Sequence, residues 1–364
     1  MSKLVVAKIG SSSITSNGLV DLDQLDQLAS QATALRAAGH RIVIVTSGAI
    51  ATGLPSLGLL RASVHDDAVL RAASAVGQIS LMGAFQQRFA EAGLGVGQVL
   101  LAPTDFMFRR RYLKSKGTLA ALLDAGVVPV INENDAIADD EIRFGDNDRL
   151  GALVAHLIEA DLLVLLTDTA GLFTADPRVD TSASLIEEIR EIDQSMEAAA
   201  GGAGSSISTG GMASKLAAAK IASWSGIETV IAAATRPDVL RDAVGRVEGV
   251  GTRFVARDQR LGARKLWIAF AVPARGRIVV DAGARRALEE RNSSLLPAGI
   301  RETEGTFAID DAVEIVDQDG SLFAKGQVRW SSEQLAADAG KQTVDLPSGT
   351  SDVVVHKDDL VVLP

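Results

Sequence analysis

The sequence predicts an α/β fold, a three-layer αβα sandwich with a mostly parallel central sheet, followed by a small β-rich domain. Hydrophobic residues make up 47% of the 364 residues and aromatic residues only 4%. That balance suits a parallel sheet whose two faces are filled by aliphatic side chains. Short apolar runs alternate with helical stretches over the first two-thirds of the chain, and this alternation stops near residues 273–276. The length is sufficient for two domains.

The larger predicted domain covers residues 1–260. Its apolar runs predict strands at residues 4–9, 41–46, 95–101, 127–131, 162–167 and 229–232. The stretches between them predict helices at residues 22–38, 68–92, 109–124, 147–160 and 212–225. Because strands that alternate with helices are joined by crossover connections, we expect a mostly parallel sheet.

The smaller predicted domain covers residues 276–364, where the segments are short and punctuated by glycine. Strands are predicted at residues 277–280, 305–308, 313–316, 322–328 and 352–355. Helices are predicted at residues 282–291 and 332–339.

Several classes of site are excluded by the sequence. It contains no cysteine, and therefore no disulfide framework, thiolate zinc site or cysteine nucleophile. Its four histidines lack the spacing of a zinc site. The motifs of Walker-type NTPases, protein kinases and α/β-hydrolases do not occur in the sequence, and no strict G-x-G-x-x-G follows the first strand.

The formal net charge of −10 predicts a protein that stays in solution and, on average, repels nucleic acid. No basic segment leading into a long apolar run opens the sequence, which argues against a secretory signal. No apolar run approaches the roughly 20 residues that span a bilayer. We therefore expect a cytoplasmic location and no membrane attachment, and the lack of cysteine fits a reducing compartment.

Small or polar turns follow four of the predicted strands. They begin at Gly10, Ser47, Asn132 and Asp168. Each turn alone is typical of an ordinary loop. Ligands of open parallel sheets bind beyond the carboxyl ends of the strands, and these four turns recur at that edge. Together they predict a ligand site there.

Two lysines have unusual positions. Lys8 lies inside an apolar strand immediately before Gly10, and a buried ammonium without a partner is costly. Lys215 lies in the first turn of a predicted helix, where the helix dipole disfavours a cation. An edge-strand lysine and a solvated surface lysine are the plain alternatives. Binding of phosphate by both lysines is the functional interpretation.

Acids and amides concentrate at residues 132–135 and 146–148. Asp146 or Asn147 is a candidate for a helix cap, but capping explains one of these residues and not the whole set. Amides and turn N–H groups can bind the charged groups of an amino acid. An acid at this position can orient a lysine or hold Mg²⁺ through water.

These segments resemble the amino acid kinase family. The resemblance rests on VAKIGSS at residues 6–12, IVTSGAI at 44–50, PVINEND at 129–135, GDND at 145–148, LTDTAGLFTADPR at 166–178 and TGGMASK at 209–215. They occur in the family's order, and the resemblance covers nearly the whole chain. The family phosphorylates carboxylates, carbamate or nucleotide phosphates. The NEND and GDND pair, with a C-terminal PUA-like domain, resembles the members that phosphorylate the side-chain carboxylate of L-glutamate.

The resemblance implies a role for each site residue. Lys8 and Lys215 would contact the transferred phosphoryl group, and Asp148 would organise the two lysines. Glutamate would be bound by Ser47, Asp135 and Asn147. ATP would be held by Lys8, Thr167, Asp168, Thr209, Gly210, Gly211, Met212, Ala213, Ser214 and Lys215. Mg²⁺ is expected with ATP, and no residue is assigned as its direct ligand.

The implied reaction gives L-glutamyl 5-phosphate, the first step of proline biosynthesis. The resemblance also implies a homo-oligomer (dimer or tetramer), functional coupling to a glutamyl phosphate reductase and feedback inhibition by proline. Two alternatives stay open. One is a sibling kinase that acts on aspartate, N-acetylglutamate or a nucleotide monophosphate. The other is an RNA-binding role for the C-terminal domain, although residues 276–364 carry nine Lys and Arg against sixteen Asp and Glu, a net charge of −7.

Overall fold

A computed structural model describes residues 2–59, 64, 66–102, 104–137, 147–175, 180–193, 196, 211–258, 260–346 and 351–363. The chain divides into two compact units, Met1–Arg260 and Leu261–Pro364.

The strands of the first unit are β1 (Leu4–Ile9), β2 (Thr15–Ser16), β3 (Leu19–Val20), β4 (Arg41–Thr46), β5 (Val96–Leu101), β6 (Val128–Glu133), β7 (Leu162–Thr167), β8 (Glu188–Ile189), β9 (Glu228–Ala233) and β10 (Thr252–Phe254). Its helices are α1 (Ser11–Ile14), α2 (Leu22–Ala37), α3 (Ala49–Ser56), α4 (Asp67–Glu91), α5 (Thr104–Met107), α6 (Arg109–Asp124), α7 (Asn147–Leu157), α8 (Met212–Trp224) and α9 (Val239–Gly245).

Eight strands form one sheet in the order β5-β6-β4-β1-β7-β9-β10-β8. All pairs are parallel except β9–β10, which is antiparallel. The predicted α/β sheet is confirmed, and each of the six predicted strands is present with its ends shifted by at most two residues. The strands β2, β3, β8 and β10 were not predicted from the sequence. These strands have two or three residues each, too few to show a hydrophobic period.

Helices cover both faces of this sheet. Alternate side chains of β1, Val5, Ala7 and Ile9, share a buried cluster with residues of α2, α4 and α9. The opposite face of β1 carries Lys8, and α7 packs there, because a Cβ added to Gly151 would lie 3.3 Å from the Lys8 Cβ. Helices on two sides of one sheet make the predicted three-layer sandwich.

Helices α3 and α4 cross at two glycines. A Cβ at Gly53 would lie 1.8 Å from the Ala73 carbonyl oxygen, and one at Gly77 would lie 1.9 Å from the Ala49 carbonyl oxygen. Both glycines therefore let one helix backbone touch the other. The Thr52 hydroxyl, which donates to the Gly48 carbonyl at 2.9 Å, also lies 3.3 Å from the Gly77 carbonyl oxygen. This crossing fixes α3, which starts directly after β4, against α4.

Helix α4 is long and apolar enough to cross a bilayer by length and composition, with a mean hydropathy of 1.3 over its most apolar 18 residues. A core helix of a soluble protein meets the same criterion, and α4 contributes Leu81, Phe85 and Phe89 to the buried cluster beneath the sheet.

The second unit contains the strands β11 (Gly276–Val280), β12 (Ile300–Gly305), β13 (Ala312–Val316), β14 (Leu322–Val328) and β15 (Val355–Val362). Its helices are α10 (Ala263–Leu266), which continues as a π-turn (Trp267–Ala271), α11 (Ala282–Arg291) and α12 (Ser332–Asp338), with 3₁₀ turns at Pro297–Gly299 and Thr343–Asp345. The five strands form a separate sheet in the order β12-β11-β13-β14-β15, which confirms a small β-rich C-terminal unit.

Two predicted strands of this unit were misplaced. The segment predicted at residues 305–308 overlaps β12 only at Gly305, and residues 306–308 do not form a strand. The segment predicted at 352–355 overlaps β15 only at Val355. Both observed strands lie at the edges of the sheet and carry charged residues, in IRETEG and VHKDDLVV. Edge strands bury little of one face, so their sequences lack the apolar alternation that predicts a strand.

We predict that Gly77→Ala destabilises the first unit by about 1–3 kcal/mol, because the added methyl group must push α3 and α4 apart. Gly83→Ala on the same helix is the matched control, since no atom lies within 4 Å of its added Cβ. It is expected to raise stability by up to about 1 kcal/mol through helix propensity. Urea denaturation of both variants measures the difference, and equal midpoints would contradict the role of the crossing.

Candidate active site

Three buried charged side chains meet at the carboxyl edge of the first sheet. Asp148, in the first turn of α7, is fully buried. One of its oxygens forms an ion pair with Lys8 of β1, and the other lies 3.2 Å from the Lys215 Nζ of α8. The side chains of the two lysines are 5% and 8% exposed. These three side chains together carry one excess positive charge in a place shielded from water.

The lysines keep the Asp148 carboxyl ionised. Burial alone would raise its pKa, because it disfavours the charged form. The charges and hydrogen bonds of Lys8 and Lys215 outweigh burial and hold the pKa of Asp148 below its usual range. Since Gly151 lets α7 approach β1 closely, the carboxylate reaches the lysine of the strand.

A cluster of amides adjoins the charged group. Asn147, next to Asp148, directs its Nδ2 to the Thr46 carbonyl at 2.6 Å, the Ser47 Oγ at 2.9 Å and the Asn132 Oδ1 at 2.8 Å. The side chain of Asn147 thus joins the ends of β4 and β6. The alternative that Asn147 serves only as a helix cap does not account for these contacts.

Helix α4 supplies two site residues that were not predicted from the sequence. The Ser74 hydroxyl donates to Asp135 at 3.1 Å, and the Gln78 Oε1 accepts from the Asn132 Nδ2 at 2.8 Å. Ser74 and Gln78 are one helical turn apart and interrupt an otherwise apolar buried stripe. That interruption was the available signal, because a buried polar side chain requires a partner.

The neighbouring strand β7 ends at Thr167, whose hydroxyl donates to Asp168 at 2.9 Å. Strand β7 pairs directly with β1, with Leu165 opposite Lys8. Helix α8 begins after Gly211, which offers no side-chain acceptor to the first-turn N–H groups. A helix start of this kind, beside Lys215, suits an anion.

The amino acid kinase family model matches residues 3–233, more than half of the chain. The chain belongs to the amino acid kinase family. The PUA domain model matches residues 276–349.

Two relatives match over almost their whole length. The glutamate 5-kinase of Burkholderia multivorans (strain ATCC 17616 / 249) is 44% identical over 367 residues, which cover 100% of this chain and 98% of that protein. The glutamate 5-kinase of Burkholderia mallei (strain SAVP1) is 46% identical over 373 residues, with the same coverage. Among solved structures, carbamate kinase from Giardia lamblia bound to AMP-PNP is 16% identical, covers 70% of this chain and 99% of that chain, and has a TM-score of 0.49.

In this family member the structure brings most of the predicted site residues together. Lys8, Asp148 and Lys215 form one cluster, and Ser47 contacts Asn147 directly. Asp135 is joined to the site through Ser74 of α4. The predicted ATP residues Met212, Ala213 and Ser214 form the first turn of α8, and the Ser214 Oγ lies 3.4 Å from Asp148. Thr209, Gly210, Gly145 and Asp146 lie outside the described residues.

His156 lies on α7 eight residues after Asp148, about 12 Å along the helix axis. Burial, together with the charges of Lys116 and Arg260, lowers the pKa of His156 to about 4, and Glu159 opposes this shift. His156 therefore stays neutral in the folded protein at pH 7.

We predict that Asp148→Asn lowers the free energy of unfolding by about 3–5 kcal/mol, because it leaves two buried ammonium groups without their shared carboxylate. Asp124→Asn is the control. Asp124 pairs with Arg41 at 3.9 Å on the surface, and its loss is expected to change stability by less than about 0.5 kcal/mol. Urea denaturation compares the free energies of unfolding of the two variants. A similarly small decrease in both would contradict the stabilising role of Asp148 in the buried cluster.

We further predict that stability falls as pH drops from about 6.5 towards 4, in part because of His156. In this window the unfolded chain binds a proton at His156 that the folded chain does not bind. The shift of the pKa from 6.5 to about 4 corresponds to roughly 3 kcal/mol. His156→Gln should therefore lose less stability than the wild type between pH 7 and pH 4.5 in urea denaturation. The same loss in both proteins would show that His156 is not the group responsible.

Proposed function

We propose that this chain transfers the γ-phosphoryl group of ATP to the side-chain carboxylate of L-glutamate and so forms L-glutamyl 5-phosphate, the first step of proline biosynthesis. The observation that carries the proposal is the buried Asp148 held between Lys8 and Lys215. Two anions must approach each other in this reaction, and the excess positive charge of the cluster offsets their repulsion.

The reaction needs alignment and charge neutralisation, and it does not need a general base. A carboxylate is already an oxygen nucleophile at pH 7. It attacks the γ-phosphorus of ATP in line while the bond to the bridging oxygen of ADP breaks. Lys8 and Lys215 stabilise the charge on the transferred group, and Asp148 holds both ammonium groups in position.

Glutamate is the acceptor that the relatives and the amide cluster favour. Relatives at 44–46% identity over 100% of this chain are named glutamate 5-kinase. Ser47, Asp135 and Asn147 bind the amino acid in this proposal, and they lie at neighbouring strand ends beside the charged cluster. Thr167, Asp168 and the start of α8 hold the nucleotide, together with the undescribed Thr209 and Gly210.

Mg²⁺ accompanies ATP in this proposal. Among the described residues, no group of three or more His, Asp or Glu side chains is placed to hold a metal ion. Both oxygens of Asp148 face lysines. The described residues thus fit a cation carried by the phosphates of ATP better than one bound in a cage of protein ligands, and such a cation would help to neutralise phosphate charge.

The functional partner, the oligomeric state and the regulation are proposed from the family and from the reactivity of the product. The product is an acyl phosphate, prone to hydrolysis or cyclisation, so a reductase that consumes it quickly is the expected functional partner. We also propose a cytoplasmic homo-oligomer (dimer or tetramer) that is inhibited by proline. The division into a kinase domain at residues 1–260 and a PUA-like domain at 276–364 belongs to the same proposal.

We predict that Lys215→Ala lowers turnover by two or more orders of magnitude while the KM for glutamate changes little, because the lysine acts on charge that develops in the transition state. Lys114→Ala removes an exposed lysine from α6 and serves as the control with unchanged turnover. Trapping the acyl phosphate with hydroxylamine measures both variants. Unchanged turnover in Lys215→Ala would rule out its catalytic role.

The same assay separates glutamate from the other acceptors of the family. We expect ATP-dependent hydroxamate from L-glutamate and much less from aspartate or N-acetylglutamate, and no ADP release with a nucleotide monophosphate. A higher kcat/KM for any of these acceptors would replace glutamate in the proposal.

A further inference from the structure

Three side-chain amides form a continuous chain behind the amino-acid part of the site. The Gln78 Oε1 accepts from Asn132, and the Asn132 Oδ1 in turn accepts from Asn147, both at 2.8 Å. Gln78 and Asn147 are each more than nine-tenths buried, and Asn132 is 2% exposed. A buried amide chain of this kind holds each member in one orientation.

Two backbone groups fix the donor-to-acceptor direction of the hydrogen bonds in this row of amides. The Thr46 carbonyl can only accept, so the Nδ2 of Asn147, 2.6 Å away, must face it. The Glu133 N–H can only donate, so the Asn132 Oδ1, 2.9 Å away, must face it. The Asn132 Nδ2 therefore faces Gln78 and donates its hydrogen bond to the Gln78 Oε1. Exchange of oxygen and nitrogen in any one amide would break at least one of these contacts.

The row of three hydrogen-bonded amides ends in an acceptor. The Asn147 Oδ1 is buried and has no hydrogen-bond partner within the part of the chain that the structure describes. A buried acceptor that lacks a donor costs about 1–3 kcal/mol, and a ligand that supplies the donor recovers this cost. At pH 7 glutamate has one donor group, its α-ammonium, because both of its carboxylates only accept.

We propose that Gln78 is a positioning residue that acts through Asn132 to present the Asn147 Oδ1 to the α-ammonium of the amino-acid substrate. This inference rests on the proposed function and deepens it. It assigns the ammonium, and neither carboxylate, to Asn147. Ser74, one turn before Gln78, holds Asp135 at 3.1 Å, so one face of α4 supports two of the predicted glutamate residues.

The proposal requires that the ammonium contribute to recognition. Glutarate is glutamate without its amino group, and it cannot use the Asn147 acceptor. Wild-type protein is therefore expected to bind glutarate, measured as a substrate or as a competitive inhibitor, at least tenfold more weakly than glutamate.

The test is Gln78→Met, which keeps the volume of the side chain but removes the acceptor for Asn132. We expect the KM for glutamate to rise about fivefold to tenfold, as for the loss of one hydrogen bond. The kcat, the KM for ATP and the affinity for glutarate should stay within about twofold. Gln86→Met on the exposed face of α4 is the matched control and should change none of these values.

A double-variant cycle tests whether Gln78 acts through Asn147. In an Asn147→Ala background, Gln78→Met should change the KM for glutamate by less than twofold, because the presented oxygen is already gone. Asn147→Ala alone should also reduce the preference for glutamate over glutarate, a test that does not depend on the folding of the α4 variant. Thermal unfolding confirms that each variant is folded.

The outcomes separate this inference from the proposed function. Additive effects in the cycle, or equal losses for glutamate and glutarate, would overturn the positioning role while the kinase activity stands. Wild-type protein that forms no hydroxamate from glutamate would overturn both.

Discussion

The burial of one carboxylate between two lysines constrains the active-site edge of the first unit. Asp148 has no exposure, and its position depends on α7 packing closely against the Lys8 face of β1. Each charge alone would be costly to bury. Held together, the three side chains carry a net positive charge, and in the proposed function this charge stabilises the transferred phosphoryl group.

A second constraint acts from the other face of the sheet. The glycine crossing of α3 and α4 sets the position of α4, and α4 carries Ser74 and Gln78. Gly77 lies between these two polar residues in the chain, so the backbone contact and the side-chain contacts belong to the same turn. Packing of two helices thereby determines where the amides at the strand ends point.

The charged cluster and the amide cluster have different roles in the proposed function. In the proposed function, the charged cluster binds phosphoryl oxygens, and the amide cluster supplies directional hydrogen-bond acceptors and donors for the amino acid. They meet at Asn147 and Asp148, which are consecutive residues at the start of α7. One helix terminus therefore fixes the distance between the two clusters that, in the proposed function, bind the phosphoryl group and its acceptor.

The sequence by itself determined three features, because each leaves a local signal. Apolar runs predicted the strands of the parallel sheet, charges in unexpected places singled out Lys8 and Lys215, and motifs indicated the family. The sequence did not reveal the edge strands β12 and β15, whose charged sequences lack apolar alternation. Only the tertiary structure decided that Asp148 is shared by both lysines and that Gln78 of α4 orders Asn132 and Asn147. Three of these contacts join residues more than 50 positions apart, and the Asn132–Asn147 contact spans 15 positions. The packing of the helices on the sheet determines which of these residues meet.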